Sequence, residues 1–161
     1  MELTAGASPR GADAFGSSVA INSNFAFVGA PLTGDAVGTV FVFALAEGSV
    51  SGGKLELQHV LHPPAINGTA VSAAAYFGIS LGLSSNNLFV GAPGINGNIG
   101  AVFVFSLNGF VSVGRLTAND GHSNDMFGMN MLLLGCCCIV IVHFCMIGSL
   151  ICFFVSRLCF Q

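Results

Sequence analysis

Short apolar runs broken by Gly, Asn, Ser and Asp fill the first 130 residues, a pattern of β-strands and tight turns rather than of helices. The runs predict strands over 15–21, 25–29, 38–45 and 54–61, and again over 76–83, 88–91, 100–107 and 110–117. Turn chemistry stands between them at Asn22-Ser-Asn24, Thr33-Gly-Asp35, Ser51-Gly-Gly53, Ser84-Ser-Asn-Asn87, Asn96-Gly-Asn98 and Asn108-Gly109. Val40-Phe-Val-Phe43 and Val102-Phe-Val-Phe105 are β-branched or aromatic on both faces, as strands covered on two sides should be. Asn108-Gly109 predicts a two-residue type I′ hairpin. The pattern changes at Leu132. From there to Val155 no formal charge occurs, and 24 residues at a rise of about 1.5 Å each would make a helix long enough to cross a bilayer core of roughly 30 Å.

The strands repeat. Phe15-Gly-Ser-Ser-Val-Ala-Ile recurs as Phe77-Gly-Ile-Ser-Leu-Gly-Leu, Phe27-Val-Gly-Ala-Pro31 as Phe89-Val-Gly-Ala-Pro93, and Gly38-Thr-Val-Phe-Val-Phe43 as Gly100-Ala-Val-Phe-Val-Phe105. All three pairs are 62 residues apart, which makes them a register and not an effect of composition. A third copy opens at Leu116-Thr-Ala and Asp125-Met-Phe-Gly128, echoing Leu3-Thr-Ala and Asp13-Ala-Phe-Gly16; fourteen residues after Phe127, where Gly-Ala-Pro is due, stands Ile141-Val-His143. Four antiparallel strands per repeat at this period describe a propeller blade. Gly16 and Gly78 are expected to let the backbone pass close to a neighbouring blade. Gly29-Ala30-Pro31 and Gly91-Ala92-Pro93 end a strand, because proline cannot donate to the ladder.

On Phe15-Gly16, Phe77-Gly78 and Phe127-Gly128, with the two Gly-Ala-Pro triplets, residues 2–131 resemble FG-GAP repeats, the blade unit of integrin α-subunit propellers and related extracellular proteins. The resemblance implies an all-β fold: a partial β-propeller of two four-stranded blades (1–62 and 63–114) and the start of a third (115–131). To this the apolar run adds a transmembrane helix at 132–155 and a short tail at 156–161. It implies a non-catalytic module that binds a protein or glycan ligand, adheres at the cell surface, and meets further blades or copies of itself. Two alternatives accompany it: a truncated, non-functional remnant of a larger propeller protein, suggested by a chain that opens inside a repeat, or the propeller part of a hydrolase-containing protein. Many family members carry an Asp-rich calcium loop between the first two strands; here those connections, Asn22-Ser-Asn24 and Ser84–Asn87, hold no carboxylate, so no cofactor is expected. Asp120 and Asp125 are the remaining acidic candidates, without the alternating carboxylates that Ca²⁺ favours.

Charge narrows the partners. With 4 Lys+Arg against 7 Asp+Glu and a net charge of −3, the chain lacks the basic face that nucleic acid requires. Membrane contact is assigned to 132–155, with the blades extracellular or lumenal; Arg157 beyond the apolar run favours a cytosolic end. The N-terminus shows neither the basic nor the apolar segment of a signal peptide. All 6 Cys fall between Cys136 and Cys159, so the repeats are not disulfide-stapled, and Cys138, Cys145, Cys152 and Cys159 would share one face of a helix. His59 and His62 precede Pro63-Pro64 with no metal-ligand partners in view, and no nucleophile-elbow, zincin or phosphate-loop motif occurs. Asn67-Gly-Thr69 is a glycosylation acceptor pattern, meaningful if the chain is secreted.

Overall fold

A computed structural model of the chain describes residues 12–45, 50–51, 54–71, 73–134, 138–147 and 150–159. Two four-stranded antiparallel sheets carry the repeats. The first runs in the order β1 (Ser18–Ile21), β2 (Phe25–Ala30), β3 (Thr39–Ala44), β6 (Leu57–Leu61); the second is β7 (Leu81–Leu83), β8 (Asn87–Ala92), β9 (Ala101–Ser106), β10 (Ser112–Leu116). Each is a meander in chain order, as a propeller blade is. Single-turn segments α1 (Thr33–Ala36) and α2 (Ile95–Asn98) join the second and third strands, and both contain residues in the left-handed region. In the first sheet the connection between third and fourth strands also carries a two-stranded ladder, β4 (Val50–Ser51) with β5 (Lys54–Leu55).

The motif spacing is 62 residues from Phe15 to Phe77 but 50 from Phe77 to Phe127, and the elements show where the extra length of the first repeat lies. Seven residues fall in its third-to-fourth strand connection, which holds β4 and β5. Five fall between Leu61 and Phe77, where Ile66 and Thr69 bridge across a tight turn.

The two-sided apolar strands face two layers. Val40 and Val42 of β3 are packed with Phe77, Phe103 and Phe105 in the core between the blades, while Phe41 and Phe43 turn to the other side with Ala26, Val28 and Phe15. In β9 the same alternation sends Phe103 and Phe105 toward the first blade and Val102 and Val104 toward Phe127 of the third repeat. Valine thus faces the following blade in both strands, and in β9 phenylalanine faces the preceding one. The motif phenylalanines of the first two repeats sit edge-on to their own blade's pair: Phe15 at 5.5 Å from Phe41, Phe77 at 5.7 Å from Phe103.

Two expectations are corrected. The transmembrane helix over 132–155 is absent; no helix among the described residues is long and apolar enough to cross a membrane. In its place a third sheet runs β11 (Asn130–Leu134), β12 (Cys138–Ile147), β13 (Leu150–Cys159), all antiparallel, and the last strand continues into the supposed tail as far as Cys159. Ile139-Val-Ile-Val142 has strong strand propensity, and Gly148-Ser149 is a pair that suits a two-residue hairpin. The residues of the run fall in successive strands and not in one 24-residue unit. The Cys138/Cys145/Cys152/Cys159 stripe dissolves with the helix: Cys138 pairs with Cys159 and Cys145 with Cys152 across the ladder. The second correction is Asn108-Gly109. A type I′ turn needs positive φ at both residues, whereas here Gly109 and Phe110 have it, at 80° and 53°, and the loop closes more widely through Ser106 N–H to Val111 C=O. Phe110 is drawn out of strand register because its ring packs at 5.0 Å from Phe25 and 4.7 Å from His59 of the first blade.

Candidate functional site

The Phe-Gly and Gly-Ala-Pro motifs build one device, used twice. Ala14–Ser17, Tyr76–Ile79 and Met126–Met129 are β-turns closed by N–H···O bonds of 3.1, 3.1 and 3.0 Å, with the motif glycine third. That place takes φ of 90° at Gly16, 89° at Gly78 and 86° at Gly128, a conformation natural to glycine alone. Within a blade, the turn glycine donates to the Gly-Ala-Pro glycine: Gly16 N–H to Gly29 O at 2.9 Å, Gly78 N–H to Gly91 O at 3.0 Å. Between blades, the same two kinds of glycine meet face to face. A Cβ added at Gly29 would overlap the carbonyl oxygen of Gly78, and one at Gly91 would overlap that of Gly128. Neither position has room for any side chain.

Serine completes the junction. Ser18 Oγ donates to Gly78 O at 2.6 Å, and Ser80 Oγ to Gly128 O at 2.6 Å. Both stand three residues after the motif phenylalanine; the repeated Phe-Gly-x-Ser spacing carried that signal, although the role was missed. Backbone bonds extend the seam, from Tyr76 N–H to Ala36 O (2.9 Å) and Phe77 N–H to Val37 O (3.1 Å), then from Met126 N–H to Asn98 O (2.8 Å) and Phe127 N–H to Ile99 O (2.9 Å). Phe77 and Phe127 are buried in the cores, Ala30 and Ala92 are fully buried, and Pro31 and Pro93 leave the sheet beside the turns. Gly16 alone differs, because among the described residues nothing lies within 4 Å of a Cβ placed there.

The turns line a groove of about 430 Å³. Its walls come from the residue before the phenylalanine (Ala14, Tyr76, Met126), the residue after the glycine (Ser17, Ile79, Met129), the prolines Pro31 and Pro93, and Leu32. The residues before the phenylalanine hold φ of 54°, 54° and 53°, a left-handed conformation that costs a non-glycine residue on the order of 1–3 kcal/mol. Apart from the two prolines, lining residues differ between repeats where the Gly and Ser of the two junctions do not. The fold keeps the seam constant and varies what the groove presents.

The other candidates lie elsewhere. Asp125 is buried and accepts the His122 backbone N–H at 2.6 Å, closing the turn before Phe127, while Asp120 is exposed; among the described residues no group of three or more His, Cys, Asp and Glu could hold a metal. His59 lies against Phe110 and His62 is exposed. Asn67 is exposed at the tip of the Ile66–Thr69 turn, whose two bridging bonds are 2.9 Å.

Two meander sheets seated through glycine–glycine contacts define a propeller-type repeat array. Residues 2–43 match the family model of the FG-GAP repeat, so the chain carries an FG-GAP repeat. No curated protein sequence matches it.

Proposed function

We propose that this chain is a non-catalytic binding module of the adhesion type, acting outside the cell or in a lumenal compartment, and that its protein or glycan ligand is met at the groove of Tyr76, Ile79, Met126 and Met129. The observation that carries the reading is the division of labour at the turns: junction positions repeat, while the groove positions flanking each Phe-Gly pair vary. An apolar lining interrupted by Ser17 suits an apolar side chain or the face of a sugar ring better than bond-making chemistry. Asn67, exposed in its acceptor pattern, would be usable in such a compartment.

The test is binding of the immobilised full chain to a panel of extracellular matrix proteins and to a glycan array. Saturable binding is expected, weakened about tenfold by Tyr76→Ala or Met126→Ala, roughly the loss of one well-packed contact. Val113→Ala, at an exposed β10 position away from the groove, should leave it unchanged. Absence of binding across both panels, or binding indifferent to Tyr76 and Met126, would overturn the reading.

A further inference from the structure

The two ends of the blade array are not equivalent. At each internal junction the trailing blade offers a glycine paired across its first two strands with a serine: Ser18 opposite Gly29, and Ser80 opposite Gly91, whose N–H bonds Ser80 O at 2.9 Å. The following blade's Phe-Gly turn lies on that glycine. In the third sheet the position of Ser18 and Ser80, three residues after the phenylalanine, is Asn130, and its partner on β12 is Val142. The connection before β12 spans 135–137, one residue more than 23–24 or 85–86 between the equivalent pairs, so the register moves from Ile141 to Val142. Neither residue is glycine. A β-carbon at this register position is what both internal junctions exclude.

The opposite end is open along its inner strand. Val19 and Ile21, 61% and 66% exposed, hold the positions of Leu81 and Leu83, which pack into the core between the first two blades. Gly16 already holds the φ of 90° that the seated turns adopt. The outer part of this face is covered by Phe15, Leu55 and Leu57, which pack on Phe41 and Phe43.

We propose that the array is polar. Its first blade is a docking face for one kind of partner, an FG-GAP blade with an unoccupied Gly-Ala-Pro strand, and its third sheet is a terminus on which no further Phe-Gly turn can seat. Two consequences follow. The partner seats its glycine on the Ala14–Ser17 turn, as Gly29 seats on the Tyr76–Ile79 turn. Copies of this chain do not stack head to tail, because both of their Gly-Ala-Pro glycines are occupied internally and the corresponding register position of β12 is Val142, not glycine. The proposal is independent of what the groove binds.

Sedimentation of the full chain over a concentration series tests it, with a second copy of the chain as the probe. Val142→Gly removes the obstructing β-carbon and should raise the weight-average mass roughly twofold or more relative to wild type, since a heterologous contact propagates. Val142→Ala keeps a β-carbon and should sediment as wild type. Val19→Lys, placed on the exposed leading strand of the Val142→Gly chain, should reverse the gain. The proposal fails if folded Val142→Gly sediments as wild type, if Val142→Ala associates equally, or if Val19→Lys has no effect. Should Val142→Gly not fold, Gly91→Ala decides: it puts the same β-carbon at an occupied junction and should speed proteolysis within residues 117–125, while an unchanged cleavage rate would overturn the proposal.

Discussion

Gly16 and Gly78 occupy equivalent turns with the same backbone angles, 90° and 89°, yet differ in what surrounds them. Alanine at either place carries the cost of a left-handed φ, on the order of 1–3 kcal/mol, and that part should be common to both. At Gly78 the new β-carbon would also lie 3.0 Å from Thr39 O and 3.0 Å from Val40 Cγ2, both on the preceding blade. Backbone oxygen cannot swing aside, and overpacking of this kind costs about 1–3 kcal/mol. At Gly16 no described atom lies within 4 Å. The difference between the two variants therefore isolates blade docking from turn strain. For a chain of this size about 2–4 °C in Tm accompanies each kcal/mol, so Gly78→Ala should melt roughly 2–12 °C below Gly16→Ala. Circular dichroism melts of the two full-length variants, run side by side, read this directly. Equal losses, or a larger loss at Gly16, would refute the assignment of Gly78 to a packed junction.

Phe77→Ala empties a fully buried site and removes edge-on contacts to Phe103 and Phe105 at 5.7 and 5.9 Å; a loss of about 3–5 kcal/mol is expected in denaturant unfolding. A loss under about 1 kcal/mol would place Phe77 outside the core. Millimolar Ca²⁺ should leave the melting midpoint where chelator leaves it, because the first two strands of each complete repeat are joined by Asn and Ser without a carboxylate; an upward shift of several degrees would reveal a site built on Asp120, Asp125 or backbone oxygens.

Much of this molecule is written locally. Repeated Phe-Gly, Gly-Ala-Pro and Val-Phe-Val-Phe words at one offset determine two blades, because period-two apolar runs between turn residues have few other ways to bury both faces. The eight strands of the two four-stranded sheets fall inside or within a residue of the predicted ones, and glycine's permissiveness was enough to anticipate the close approach of neighbouring backbones at Gly78. What only tertiary structure decided is which atoms make that approach. A serine hydroxyl has the same local cost wherever it stands, and only the seating of one blade on the next brings Ser18 to Gly78 O and Ser80 to Gly128 O. Phe110 left its predicted strand for the same reason: aromatic rings of the first blade outweighed the Asn-Gly turn preference beside it. The C-terminal run shows the limit most sharply. Apolarity and length are equally compatible with a lipid-spanning helix and with paired strands, since both bond backbone groups within the chain. The choice fell to pairing partners, Asn130–Leu134 offering an edge on which Cys138–Ile147 and then Leu150–Cys159 continue the ladder.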